Sequence, residues 1–175
     1  MKVDIIPLTT KLISNANQHL ARHVLESGQY GVHWLPYDPT TMTRLPSIHS
    51  EGLALDYDQP GWERWHVAIK SDETVVGHIA LKGGKFDRGL HRCELMMGLE
   101  QPYWRQNLGT RLLTIVIEEA GAIKHVDWLD LRVISLNQPA VSLYTKHGFK
   151  EVSRIPDFCR IDGMPVDDIL MSINV

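Results

Sequence analysis

Two side chains of this sequence have the chemistry of a general base and a general acid. Glu94 stands between Cys93 and Leu95 in a strand-like run, where a mostly apolar surface would bury it in part and make its carboxylate a better base. Tyr144 lies seven residues, about two helical turns, beyond Asn137. A phenol at that place can supply a proton to a leaving group. The two residue types are therefore suited to accept and to donate a proton.

Each of these residues also has a purely structural interpretation. A carboxylate at Glu94 can form an ion pair with Arg92 or His91, because structural ion pairs often imitate functional acids. A tyrosine at position 144 can pack in the core under Phe149. The residue types alone leave both interpretations open.

A polar loop that leads into a helix is the second informative segment. Apolar residues recur at three- and four-residue steps from Leu108 to Ile123, which predicts a helix that begins near Asn107 and Gly109. The first turn of a helix has unpaired N–H groups and the positive end of the helix dipole, so small residues there can hold a phosphate. Plain helix capping is the alternative, because the loop matches neither the Rossmann nor the P-loop glycine pattern.

The next motif gives this loop a specific meaning. Residues 129–134 are apolar and β-branched, and a polar turn after them leads into a helix that Gly148 would close. From Asn137 to Phe149 the chain contains, without a gap, the pattern Asn-x-x-Ala-x-x-Leu-Tyr-x-x-x-Gly-Phe. With Gly109 placed 15 residues after Glu94, the sequence resembles the GNAT superfamily of N-acetyltransferases.

The resemblance implies acetyl-CoA as a co-substrate, no metal, and a defined cofactor site. Pantetheine would pair with strand backbone as an added strand, and a backbone N–H there could serve the oxyanion. The pyrophosphate would lie on N–H groups of the loop, and Asn137 would hydrogen-bond the pantetheine arm. The residues implied in cofactor binding are Met97, Gly98, Leu99, Trp104, Arg105, Gln106, Asn107, Leu108, Gly109, Thr110, Asn137, Ala140 and Tyr144.

Two positions of the loop depart from the family pattern. Trp104 stands where Gln or Arg usually opens the loop, and Asn107 stands where the first glycine usually lies. Asparagine tolerates a left-handed backbone better than most residues, so we expect the turn to be preserved. Arg105 is a plausible additional cation for the phosphates.

The resemblance also assigns roles to Glu94 and Tyr144. Acyl transfer from a thioester to an amine needs a neutral amine, stabilisation of the oxyanion, and a proton for the leaving thiolate. Glu94 would deprotonate the acceptor, directly or through water, and Tyr144 would protonate the thiolate. An acyl-cysteine route through Cys93 or Cys159 is the rival mechanism, but neither thiol has a recognisable His and acid partner nearby, so direct transfer is favoured.

The elements that would position these residues form an α+β fold. Alternating apolar residues and turn signals predict strands at residues 3–8, 65–70, 74–82, 91–99 and 129–134, and a closing hairpin of residues 150–155 and 166–174 around Asp162-Gly163. Amphipathic periodicity predicts a helix between Thr9 or Thr10 and Ser27 and a short one at residues 47–55. The resemblance implies one domain over residues 1–175, with a mostly antiparallel sheet of six to seven strands, flanking helices and a splayed parallel strand pair at the cofactor site.

The acceptor would contact irregular segments outside the two motifs. Periodicity fades between residues 29 and 59, and long loops in compact domains tend to be functional or flexible. The resemblance places substrate contacts here and on the closing hairpin, although aromatic residues that simply cover the core are the alternative. The predicted substrate-binding residues are Trp34, Tyr37, Asp157 and Asp162.

Composition restricts the remaining partners. The formal net charge of -3 gives no support for a nucleic-acid partner, and the longest apolar helical run, residues 112–117, is too short to span a bilayer. We expect a cytoplasmic, unprocessed monomer or homodimer with no membrane partner. His19 and His23 have the spacing of a metal-binding pair, but no third ligand is evident, and a solvated helix face is the favoured interpretation.

Three classes of function remain. The first is an acetyl-CoA-dependent N-acetyltransferase that acts directly on a primary amine of a small molecule. The second is an acetyltransferase of protein N-termini or lysines, which would need an open groove. The third is a non-catalytic acyl-CoA-binding module, against which the presence of both Glu94 and Tyr144 argues.

Overall fold

The computed structural model describes residues 2–43 and 45–175, and these residues form a seven-stranded sheet with helices on both faces. No helix in this part of the chain has the length and apolar character needed to cross a membrane. The strands are β1 Val3–Pro7, β2 Glu63–Lys70, β3 Val75–Gly83, β4 Arg92–Leu99, β5 Trp128–Ile134, β6 Lys150–Ile161 and β7 Met164–Asn174; the helices are α1 Ile13–Leu25, α2 Ser50–Ala54, α3 Leu108–Ala122 and α4 Gln138–Lys146.

The sheet order is β1-β2-β3-β4-β5-β7-β6, and every neighbouring pair is antiparallel except β4 and β5. The parallel register begins at Arg92 with Trp128 and ends at Glu94 with Asp130. Beyond this point the two strands separate, although β4 continues to Leu99 and β5 to Ile134. The predicted mixed sheet and its splayed parallel pair are therefore confirmed.

Helix α3 covers one face of the sheet. Its buried residues include Leu112 and Val116, which pack in one core cluster with Cys93 and Leu95 of β4. Successive side chains of a strand point to opposite faces, so Cys93 and Leu95 share this face. Truncating a fully buried leucine such as Leu112 removes transfer free energy and leaves a cavity, at a cost of about 2–5 kcal/mol.

Helix α1 covers the N-terminal strands on the opposite face. Leu20 of α1 packs with Val67 of β2 and neighbouring apolar residues in a second core cluster. Gly98 of β4 also points to this face, since a Cβ built on it would lie 2.5 Å from Nε2 of His23 in α1. By strand alternation, Glu94 and Met96 share the Gly98 face, and both are exposed.

The closing hairpin is longer than its sequence pattern predicts. The two-residue turn is the predicted Asp162-Gly163, with positive φ at both residues (51° and 78°), but β6 runs to Ile161. Most of β6 is exposed, so it carries no alternation of apolar and polar residues, and its backbone pairing with β7 extends the strand. Gly148 closes α4 with a φ of 91°, as predicted.

We expect Gly98→Ala to destabilise the protein by about 1–3 kcal/mol, because the added methyl group would overlap the rings of His23 and His78. Gly121→Ala is the matched control: its Cβ would meet Val175 at an ordinary 3.9 Å, and helix propensity predicts a gain of about 1 kcal/mol. Urea unfolding of both variants measures the difference. Equal stabilities of Gly98→Ala and the unmodified protein would contradict the close packing.

Candidate functional site

The three motif-bearing segments meet at Gly109. A Cβ built on Gly109, in the first turn of α3, would lie 3.2 Å from Cε of Met97 in β4 and 3.4 Å from Cδ2 of Leu143 in α4. These distances leave little room for a side chain at position 109. The strand before the loop, the loop itself and the helix of the second motif are therefore neighbours in space.

The start of α3 has the geometry of an anion site. Asn107 is the residue before the helix, and its φ of 61° is left-handed, as the sequence predicts for an asparagine in place of glycine. Arg105 also has a positive φ of 57°, and residues 105–107 are exposed. Within the described chain the Asn107 side chain makes no capping hydrogen bond, so it leaves the N–H groups of the first turn free.

Trp104 stands where the family usually has Gln or Arg, and here it attaches the loop to the end of β4. Its indole Nε1 donates a 2.6 Å hydrogen bond to the carbonyl oxygen of Leu99, the last residue of β4. Its ring also meets the ring of Trp34 edge-on, with 6.0 Å between ring centroids. Trp104 thus fastens the loop to the end of β4, and one of the β4 carbonyls predicted to face pantetheine already has a donor.

The second motif forms a capped helix. Oδ1 of Asn137 accepts a 3.3 Å hydrogen bond from the backbone N–H of Ala140, so Asn137 caps the N-terminus of α4. Tyr144 is 7% exposed, and its ring lies 5.8 Å from that of Phe149. Burial raises the pKa of Tyr144 to about 12, and a phenol is already protonated at neutral pH at its ordinary pKa of about 10. Core packing and an available proton therefore coexist in Tyr144.

The environment of Glu94 differs from its sequence-based prediction. We expected partial burial, but the side chain is exposed, because it lies on the sheet face opposite α3 beyond the cover of α1. Arg92 does not pair with it; Arg92 donates instead to both carboxylate oxygens of Asp130, at 2.7 and 2.6 Å. Across residues 2–43 and 45–175, Glu94 has neither a hydrogen bond nor an ion pair, so its carboxylate is free to meet a ligand.

Comparison with protein families agrees with this geometry. The model of the Acetyltransferase (GNAT) family matches residues 25–149, which is most of the sequence and includes β4, the loop, α3 and α4. The chain belongs to the GNAT acetyltransferase family. As a member, it is an acetyl-CoA-dependent acyltransferase.

Individual relatives agree in fold and in chemistry. The L-amino acid N-acetyltransferase AaaT of Escherichia coli (strain K12) is 27% identical over 138 residues, which cover 78% of this chain and 82% of that protein. A GNAT-family acetyltransferase structure from Streptococcus pneumoniae matches with a TM-score of 0.82 and 24% identity, over 99% of this chain and 100% of that one. The structure of yncA from Salmonella typhimurium with its cofactor acetyl-CoA matches with a TM-score of 0.74 and 14% identity, over 99% and 94% of the two chains.

Acetyl-CoA fits two features of this GNAT acetyltransferase. The uncapped start of α3 offers N–H groups and a positive dipole end to the pyrophosphate. The gap beyond Glu94 and Asp130 leaves the edges of β4 and β5 open for an extended chain such as pantetheine. Met97, Gly98 and Leu99 lie in the part of β4 beyond its pairing with β5.

The predicted acceptor residues lie in two separate places. Trp34 stacks on His23, with 4.8 Å between ring centroids, and so forms part of the wall at the end of β4. Tyr37 is 46% exposed on the same irregular segment. Asp157 and Asp162 lie on the β6–β7 hairpin, where Asp157 accepts hydrogen bonds from the guanidinium of Arg160 at 3.0 and 2.5 Å.

A buried histidine network is the feature that sequence reasoning missed. The favoured interpretation of His19 as part of a solvated face is wrong, because His19 is fully buried between α1 and the sheet. Its Nδ1 lies 2.8 Å from Oε1 of Glu100, and its Nε2 lies 2.9 Å from Nδ1 of His78. Arg22 adds a 3.1 Å hydrogen bond to the same carboxylate. These hydrogen bonds join α1 to β3 and to the residue that follows β4.

This network holds the start of the loop between β4 and α3 against α1. Glu100 directly follows β4, and the N–H of the next residue, Gln101, donates to Oε2 of Glu26, the residue after α1, at 3.2 Å. The apolar residues of the α1 pattern gave no signal for these contacts. A signal was present in the four-residue spacing of His19 and His23, which places both rings on one face of the helix.

We expect Asn107→Ala to weaken CoA binding by about 1–2 kcal/mol, because alanine is strained in the left-handed conformation that this residue adopts. Asn107→Gly should keep the affinity within about twofold, since glycine adopts this conformation freely. Calorimetric titration with CoA compares the two. Gln18→Ala on the exposed face of α1 serves as the control, and equal losses in Asn107→Gly and Asn107→Ala would contradict a backbone explanation.

The histidine network predicts a loss of stability in acid. Burial, together with neighbouring His19, His23 and Lys82, lowers the pKa of His78 well below its ordinary value of 6.5, and burial also lowers that of His19. Below pH 6.5 the unfolded chain therefore binds more protons than the folded one, so stability falls as the pH falls. Each such histidine contributes a slope of up to about 1.4 kcal/mol per pH unit.

Urea unfolding between pH 7 and pH 5 measures this slope. His78→Asn keeps a polar group near the position of Nδ1 but does not titrate, so the fall in stability should be shallower by about one proton. Gln18→Asn, at an exposed and non-titrating position of α1, should leave the slope unchanged. An unchanged slope in His78→Asn would exclude the buried imidazole as its source.

Proposed function

We propose that this GNAT acetyltransferase transfers an acetyl group directly from acetyl-CoA to a primary amine of a small molecule. The observation that carries the proposal is the meeting of β4, the start of α3 and α4 at Gly109, next to the gap between β4 and β5. The similarity to an L-amino acid N-acetyltransferase supports a small amine as the acceptor. We propose that the donor site comprises the residues predicted from the sequence.

Glu94 and Tyr144 are suited to the two proton transfers of this reaction. The carboxylate of Glu94 is exposed and has no partner among the described residues, so it can accept a proton from the acceptor ammonium, directly or through water. The phenol of Tyr144 in α4 is protonated at neutral pH, as a tyrosine ordinarily is, and burial raises its pKa further, so it has a proton to give to the departing thiolate. Acceptor contacts from Trp34, Tyr37, Asp157 and Asp162 belong to the same proposal.

Release of free CoA thiol with a panel of amines tests the proposal. We expect Tyr144→Phe to lower kcat by about 10²- to 10⁴-fold with little change in CoA affinity, because general acid catalysis contributes about that much. Glu94→Gln should lower kcat/KM strongly at pH 7 and less at pH 9, where more of the acceptor amine is already neutral. Exposed Tyr30→Phe and Glu118→Gln are the matched controls.

The outcomes separate the three classes of function. Turnover of small amines, lost in Tyr144→Phe, supports the proposal. Turnover of peptide amines alone would assign the chain to the protein acetyltransferases instead. Tight CoA binding without turnover of any amine would show a non-catalytic module.

A further inference from the structure

The open sheet face next to the gap contains a half-buried pair of opposite charges that the proposed reaction does not use. Arg132 of β5 donates from Nη2 to Oδ2 of Asp168 in β7. The Asp168 side chain is 6% exposed, whereas the Arg132 side chain is 47% exposed. The buried carboxylate thus holds one side of the guanidinium, and the other side faces solvent.

The remaining donors of Arg132 are available. Within the described chain, Nη2 is the atom of its guanidinium that forms a hydrogen bond, which leaves Nε and Nη1 without a protein acceptor. The other arginine on this face, Arg92, is fully engaged: two of its nitrogens bind Asp130, and it lies 5.1 Å from the ring of Trp128. Of the two, Arg132 is the one able to bind an anion without losing an existing partner.

Arg132 shares its sheet face with Glu94. Asp130 pairs with Glu94 in the parallel register, and Arg132 is the next residue of β5 on the same side. Its Cα is therefore about 7 Å farther along the sheet than that of Glu94, and because the strands have begun to separate here, the distance across exceeds the roughly 5 Å of paired strands. Two long side chains of opposite charge at this spacing bracket the point where the strands separate.

A zwitterion matches this pair of charges. An α-amino acid has an ammonium group and a carboxylate on one carbon atom, so both can be bound by side chains that converge on one point. Arginine binds carboxylates through a planar fork of donors, and a fork already fixed by a buried aspartate loses less freedom on binding. Because the Asp168 carboxylate balances the charge of Arg132, selectivity for a carboxylate would come from the direction in which Nε and Nη1 of Arg132 point.

We propose that Arg132, oriented by Asp168, binds the carboxylate of an α-amino acid acceptor and so places its amine beside Glu94. The inference rests on the proposed function, because it names the acceptor class of that same site. Arg132 is a substrate-binding residue here, and Asp168 is a positioning residue that acts through it.

Kinetics with matched acceptors test the proposal. An L-amino acid, its carboxamide and its decarboxylated amine have the same side chain, and the latter two lack the carboxylate. We expect Arg132→Gln to raise KM for the amino acid by about 10- to 100-fold, the effect of losing a hydrogen bond to a charged group. The kcat/KM for the amide and the amine should change by less than about twofold. Arg132→Lys should recover part of the affinity.

Two further variants separate binding from folding. Asp168→Asn should raise KM for the amino acid while leaving kcat within about threefold, since it affects the direction of Arg132 and not the proton transfers. Arg154→Gln is the matched control, because Arg154 also pairs with an aspartate of β7, Asp167, at 2.9 Å. Asp167 lies on the opposite face of the sheet from Asp168 by strand alternation.

Several results would overturn the inference. An equal loss for the amino acid and its amide in Arg132→Gln would show that the pair is structural. Equal use of both acceptors by the unmodified protein would show that no carboxylate site exists, while the proposed function would still hold. Absence of turnover with every amine would contradict the proposed function itself, and a direct binding titration with the amino acid would then show whether Arg132→Gln abolishes its binding.

Discussion

The parallel contact between β4 and β5 ends after three residue pairs, and the rest of the site depends on this early ending. Past Glu94 and Asp130, the facing edges of the two strands have no strand partner across the gap in the described chain. Backbone donors and acceptors favour a partner, so an extended ligand chain is a suitable one. The gap begins beside the open face that carries Glu94 and Arg132, and its walls lead to the start of α3. The early ending of this contact is therefore the feature on which the proposed acetyl-CoA and acceptor sites depend.

The gap can bind an extended ligand chain only if the end of β4 is held in a fixed position. Contacts from α1 supply this, because Glu100 accepts from Arg22 and pairs with His19, and the N–H of Gln101 binds Glu26. Trp104 adds a hydrogen bond from the loop back to the last carbonyl of β4. Buried charged groups are costly unless they are paired, and here the pairing joins α1, the sheet and the loop. The loop between β4 and α3 is therefore fixed at its beginning by side chains of α1 and of Glu26, the residue after α1.

The alternation of side chains along β4 places its apolar residues in the core and Glu94 on the exposed face. Apolar β4 residues face α3 and close the core, whereas Glu94 and Met96 lie on the opposite, open face. Tyr144 occupies a buried position on α4, where the absence of water raises its pKa to about 12. In the proposed function the proton acceptor, Glu94, is therefore exposed to solvent, and the proton donor, Tyr144, is buried. The Arg132 and Asp168 pair combines both environments, because the Asp168 carboxylate is buried and the Arg132 guanidinium is half-exposed.

The amino-acid sequence was enough to predict the family, the strands of the sheet, the left-handed Asn107 before α3 and the helix that follows Asn137, because each depends on local periodicity or on a motif of contiguous residues. It did not determine the burial of His19, the exposure of Glu94, the bond from Trp104 to Leu99 or the pairing of Arg132. His19 and Glu100 are 81 residues apart, and Arg132 and Asp168 are 36 residues apart. Contacts at such separations depend on which strands become neighbours and on which face each side chain points to. Strand neighbours and side-chain faces are properties of the folded chain, since a one-residue change in strand register would move every side chain of a strand to the other face.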